Sequence, residues 1–481
     1  LLTTRPDHVR ARHPHAKAQH HAKRRPHRLH LPPLGTRILT PPMVDRLFWR
    51  AGFGPSQADR DRWTGRTAGA AAEYLLSTPQ GPPAGPNPTN AGKPLSPTSS
   101  DTDLVLSWLD QMVRAPNPFV ERMTFFWHRH FANSRDEVSP PQLLLSQTGL
   151  FRKYSDFGRN PKASFKDLTY AVTEDPSMLR YLNGEQNNAK PPRIANENYA
   201  RELMELFTLG VTNSAGQPNY SETDVHELAK AMSGWRINDA DPNNVVSFYD
   251  ATRHYPTPVS VLGTNAALTD RQGVDVVLNS PAHAPYLLTK LWGEFISLPI
   301  DAGTLAQLRS LYLPGFQLRP VLTAILTHPA LYASPSEPTL IKTPVVYVVG
   351  ILRALRLGIT DGSIVGLLDQ MGQRPYFPPT VAGWEGGPAW MTTNGLFARF
   401  KAAGQILAQP GLTPKDSPSE TPEQAVDTAR LAVGNPWVAD ATLALLRDYA
   451  HRAPQSTPKA RIVRQLVLRT FLLGGPDAQV C

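Results

Sequence analysis

Forty-eight prolines punctuate this 481-residue chain, and they constrain its fold more than any other feature. Proline lacks an N–H and its ring clashes with the preceding helical turn, so it belongs at helix starts, boundaries and loops. A chain so interrupted is expected to have many loops and helix ends. It is not a disordered chain, because 41% of its residues are hydrophobic and can bury a sizeable core. Length alone allows roughly three average domains.

Periodicity of apolar residues predicts helices at about 43–50, 102–114, 118–133, 162–173, 195–209, 221–234, 282–296, 302–311, 317–327, 343–356, 361–371 and 394–408. Residues 245–249 and 259–262 read as the two strands of one small hairpin. The expected fold class is mainly α: a large multi-helix single domain over residues 41–408, with at most one small β-hairpin and long Pro/Gly-rich loops. Residues 80–101 read as an exposed Pro/Gly/Ser insertion, 409–424 as a linker, and 425–481 as a short helical C-terminal segment. Strands and helices do not alternate, so a doubly wound sheet is not expected.

The charge is concentrated at one end. Residues 1–31 hold eight Lys or Arg and one acid, Asp7, while the whole chain carries +9. The body is therefore nearly neutral, and a nucleic-acid partner is not expected for it. Residues 1–40 read as a disordered basic tail rich in His and Arg. The alternative is a binder of metal or an anionic surface through its seven histidines. Cys481 is the single cysteine, which leaves no internal disulfide and no Cys-based zinc site. No apolar run approaches a membrane span, and the first forty residues hold no apolar signal segment.

Three segments carry candidate chemistry. In Asn196 to Gly210, Tyr199, Ala200, Leu203, Met204, Leu206 and Phe207 fall on one arc of a helix. Glu197, Asn198, Arg201, Glu202 and Glu205 fall on the opposite arc. Glu197–Arg201 and Arg201–Glu205 are i,i+4 pairs. This arc is either a solvated face or a carboxylate cluster lining a cleft, for acid–base work or a metal ion. In Phe125 to Phe131, His128 and His130 point about 200° apart on a helix and cannot share a ligand. His130 then lies with Met123, Phe126 and Trp127, as a core histidine or as a metal or catalytic histidine. The loop from Gly372 to Trp390 offers Trp384 as an aromatic surface, or plugs onto the helical body. His254, with Asp250 four residues earlier, is a weaker candidate. His226-Glu227 lacks a second histidine at zincin spacing. No residue set assigns a metal ligand, and no motif names a cofactor.

Five segments together resemble the bacterial domain-of-unknown-function family 1800. They are Arg50-Ala51-Gly52-Phe53-Gly54, Trp127-His128-Arg129-His130-Phe131, Asn196 to Gly210, Tyr220 to Trp235 and Pro378 to Gly387. The resemblance covers about residues 43–405. It implies a mostly helical protein, often exported, and often the neighbour of a hydrolase-like protein. Where the family tends to have His-Asp, this chain has His254-Tyr255.

The leading expectation is an extracytoplasmic hydrolase or lyase acting on a polar polymer or saccharide. Its cleft would be built from Glu197, Arg201, Glu202 and Glu205, with His130 or His254 as second proton carrier. Asn198, Trp235 and Trp384 would contact the substrate. The alternative is a non-catalytic helical scaffold or binding module that partners a secreted hydrolase. The first predicts a partly buried acid arc; the second predicts an arc open to water.

Overall fold

The computed structural model describes residues 35–335 and 337–481. The histidine-rich stretch of the expected tail lies outside the described residues.

Prolines start helices, as their chemistry dictates. Pro41, Pro118, Pro176, Pro344, Pro422 and Pro458 each open one. At that position the missing N–H has no helical partner to lose, and φ is already suitable. Short polar residues stand just ahead of several: Asn117, Asp175, Thr343 and Thr457 each accept a first-turn N–H. Among the described residues these rules produce twenty α-helices and three two-stranded antiparallel sheets. The protein is mainly α, and none of its described helices is long and apolar enough to cross a membrane.

The strands do not pair as the sequence predicts. Val246–Tyr249 pairs with Trp235–Asn238, and Val259–Val261 pairs with Thr264–Ala266. A third pair, Thr89–Asn90 with Lys93–Pro94, lies inside the 80–101 insertion. Short loops decide this. Leu262 and Gly263 both have positive φ, as a two-residue hairpin turn requires. Leucine in the first turn position hides that turn from sequence reasoning.

Helix Pro118–His130 lies at the centre: every residue except Arg129 is buried. Its charged side chains are paired. The Glu121 carboxylate takes the Trp108 indole N–H at 2.9 Å, the Gln80 amide and the Arg152 guanidinium. Glu294 receives Arg122 and Arg129, each at 3.1 Å. Such pairing is what makes buried charge tolerable.

The described residues fall in one compact unit. The C-terminal segment is part of it: helix Pro458–Gly474 packs on helix Thr393–Leu407. Residues 409–424 are mostly exposed yet anchored, through Arg461 to Asp416 at 2.6 Å and Arg464 to Glu420 at 3.0 Å. The chain end pairs with residues 340–342, where Cys481 N–H meets the Leu340 carbonyl and Lys342 N–H meets that of Gln479.

Candidate functional site

The segment expected as one helix over 195–209 is two kinds of helix. Asn198–Glu202 is α, and Leu203–Thr208 is π. Its start is set locally: the Asn196 side chain accepts the Asn198 N–H at 3.0 Å, and Asn187 accepts that of Asn196 at 3.0 Å. The wider i→i+5 turn leaves carbonyls at its end without helical partners. Side chains from three other places take them. Tyr286 and Lys290 donate to the Leu206 carbonyl at 2.7 and 3.1 Å. His130 Nε2 bonds that of Phe207 at 2.9 Å, and His283 Nδ1 that of Thr208 at 3.0 Å. Asn219 donates to Leu209 and Gly210 at 3.0 Å each. Five consecutive carbonyls are capped this way.

These bonds fix the histidine tautomers, since a carbonyl only accepts. His130 carries its proton on Nε2, and its buried Nδ1 has no partner. Burial holds His130 well below the ordinary histidine range, helped by Lys290. Its ring stacks on Phe126 at 5.9 Å and meets Phe131 edge-on at 4.6 Å. His283 accepts the Tyr312 hydroxyl at 2.7 Å, and burial pushes it down to about 4. Both are neutral donors that lock the π turn.

The acid arc is tied down at one end. Glu197 lies between Arg201 at 3.0 Å and His226 Nδ1 at 2.9 Å. Arg201 reaches Glu222 at 2.8 Å with its other nitrogen. The expected Arg201–Glu205 pair does not form. The π turn offsets Glu205 from that row, and Glu205 instead accepts the Tyr220 hydroxyl at 3.3 Å. Glu202 is half-buried; desolvation and the Glu205 charge raise its carboxyl, against Arg201. Asn198 is exposed.

The other candidates lie elsewhere. His254 Nδ1 faces the Ser233 carbonyl at 3.0 Å. The Trp235 indole N–H donates to Asp270 at 3.0 Å, and its ring meets Tyr249. Trp384 is 8% exposed and stands 5.7 Å from the His128 ring, so it packs on the central helix. His128 Nε2 accepts the Tyr376 N–H at 3.0 Å, while the Tyr376 carbonyl takes the Arg135 N–H. These bonds hold Tyr376 at φ 69°, a left-handed conformation uncommon outside glycine. The Gly/Trp loop therefore plugs onto the body. Gly383 permits it, because a Cβ there would meet the Arg129 carbonyl at 2.7 Å.

Sequence reasoning brought Glu197 and Arg201 together correctly but missed His226, Glu222, Tyr220, His283, Tyr286 and Lys290. A signal existed for three of these: His283, Tyr286 and Lys290 are spaced three and four apart, which places them on one helix face. Among the described residues, no three His, Cys, Asp or Glu side chains are placed to hold a metal ion. A cavity of about 500 Å³ lies beside helices Pro41–Arg50 and Pro344–Ala354, and none of the candidate residues lines it.

The arrangement defines a helical protein whose central segment is a side-chain-capped π turn. A family model described as "Protein of unknown function (DUF1800)" matches residues 46–480, and the chain belongs to that family. No curated protein and no solved structure matches it.

Proposed function

We propose that this protein is a non-catalytic helical binding module rather than an enzyme working through the Asn196–Gly210 carboxylates. One observation carries the reading: apart from Glu202, the groups nominated for proton transfer are engaged separately within the fold. Glu197 is held by Arg201 and His226, His130 by the Phe207 carbonyl, and His254 by that of Ser233. A general base needs reach to a substrate proton, and neither histidine hydrogen-bonds a candidate carboxylate. Partnership with an exported hydrolase-like protein belongs to this reading and rests on the family resemblance alone.

A second reading, hydrolysis of a polar polymer, is favoured by Glu202. Its raised carboxyl beside Glu205 is the environment of a general acid. Incubation with neutral and acidic polysaccharides, read by mass spectrometry, separates the two. The binding module yields no new product. A product that disappears in Glu202→Gln, with the circular dichroism spectrum unchanged, would overturn the proposal in favour of the enzyme.

A further inference from the structure

The cavity beside Trp49 has features of a built site that the acid arc lacks. Its volume of about 500 Å³ falls within the range of small-molecule pockets, roughly 300–1,000 Å³. Segments from across the chain enclose it: residues 42–60, 84–86, 113–116, 335, 338–358, 433–437 and 472–481 contribute lining.

Trp49 anchors one wall. Its indole is wedged between Gly54 and Gly350, where any Cβ would collide with the ring. Gly54 also has φ 98°, so two independent constraints exclude a side chain there. The motif Arg50-Ala51-Gly52-Phe53-Gly54 thus shapes this wall. On the ring face sits the Lys342 ammonium, 3.7 Å from the centroid, a cation–π contact. Phe53, Tyr347, Ile351, Trp437 and Leu473 add apolar surface.

The charge of the lining is lopsided. Six cationic side chains face the carboxylates of Asp45, Asp59 and Asp477 and the negative charge of Cys481. Arg60 is paired with Asp45 at 2.7 Å and Arg114 with Asp110 at 2.7 Å. The others hydrogen-bond differently. Lys342 donates to the Ala478 carbonyl at 2.8 Å. Arg46 donates to the carbonyls of Leu331, Ala333 and Ser334. Arg353 donates to those of Met112, Val113 and Ala115. A carbonyl orients a cation without cancelling its charge. Lys342 is 7% exposed, and an ammonium has three donors of which one is used here. Burial lowers its amine to about 8, with Cys481, Asp45 and Asp477 pulling the other way.

We propose that this cavity binds a small amphipathic anion: a carboxylate, sulfonate or phosphate head at Lys342 on an apolar or aromatic body lying against Trp49. The inference rests on the binding-module reading and supplies the chemical class of its ligand.

The test uses the full chain and two probes, 1-anilinonaphthalene-8-sulfonate and its uncharged relative N-phenyl-1-naphthylamine. Isothermal titration is expected to show one saturable site for the anion and much weaker binding of the neutral probe. Lys342→Met is expected to weaken the anion at least tenfold and the neutral probe hardly at all. Thermal melting monitors folding of that variant. Arg356 is exposed at φ 55°, so Arg356→Gly suits the backbone and should weaken the anion two- to threefold without unfolding. Competition by 1-naphthyl phosphate and 1-naphthoate distinguishes a phosphate head from a carboxylate. Equal anion affinity in both variants and wild type, or no one-to-one site up to about 1 mM, overturns the cavity assignment. Neither result touches the binding-module reading, which falls only if a polysaccharide product appears.

Discussion

Two regions of this protein cap main-chain carbonyls with side chains, and they do so with opposite chemistry. At the π turn, neutral donors dominate: His130, His283, Tyr286 and Asn219. At the Trp49 cavity the donors are cations: Lys342, Arg46 and Arg353. A neutral imidazole that gives its N–H to a carbonyl has finished its electrostatic work. An ammonium or guanidinium that does the same still carries a whole charge. The first arrangement closes a core; the second leaves a field for an anion to meet.

Acid should break this comparison most strongly, because it charges the neutral side. His128 is pushed down to about 3, His283 to about 4 and His130 well below 6.5, all chiefly by burial. Below pH 6.5 the unfolded chain binds more protons than the folded one at these sites. Stability therefore falls with pH, by roughly 1.4 kcal/mol per unit for each histidine. Asp175 acts in the opposite sense. Burial raises it to about 7, so the folded state gains stability as pH falls from there towards 3.8. That offsets about one histidine. His128 and His283, less that offset, leave a loss of about 3 kcal/mol between pH 6.5 and 4, and His130 adds in the same direction, against a whole stability of ~5–15 kcal/mol for a typical domain. A lower urea midpoint at pH 4 than at pH 6.5 is expected, followed by tryptophan fluorescence and circular dichroism. A flat stability profile from pH 6.5 to 4 would mean that these histidines are not held neutral.

Alkali should act on the other region. Lys342 titrates at about 8 in the fold against 10.5 as its ordinary value. Between these limits the unfolded chain holds the extra proton, so stability rises with pH, by about 3 kcal/mol in total. Urea midpoints of wild type and Lys342→Met, compared at steps from pH 8 to 10.5, are expected to shift in favour of wild type. The tyrosines titrate equally in both proteins and cancel. A constant difference would show that the lysine charge is solvated, and would weaken the contrast between the regions.

The smallest effect is expected at the open edge of the acid arc. A double-mutant cycle with Glu197→Gln and Arg201→Ala should give a coupling of about 0.5 kcal/mol, reduced by salt, because both side chains are about one-third exposed. Coupling above about 1.5 kcal/mol would place this pair in a desolvated site and revive the cleft.

Local chemistry made part of this legible. Helix starts follow from Pro118, Pro344 and Pro458 with Asn117, Thr343 and Thr457 ahead of them. The Glu197–Arg201 pair follows from i,i+4 spacing. The α-to-π transition at Leu203 did not, because an unbroken apolar period looks the same in either helix. What stabilises the wider turn is a set of donors from residues 130, 219, 283, 286 and 290, far apart in the chain. The partners of Glu197 were half legible for the same reason: Arg201 is one turn away, whereas His226 arrives on another helix.

The sequence by itself determined where several helices begin, that the body is mainly α and nearly neutral, and which family the chain resembles. These depend on proline sterics, capping and apolar period, all of which act over a few residues. Only the tertiary structure decided that one end of the acid arc is ion-paired, that His130 and His283 are core donors, and that Lys342 and several arginines line the cavity beside Trp49. Those outcomes depend on which carbonyls and charges meet after distant segments pack, and no local spacing encodes that meeting.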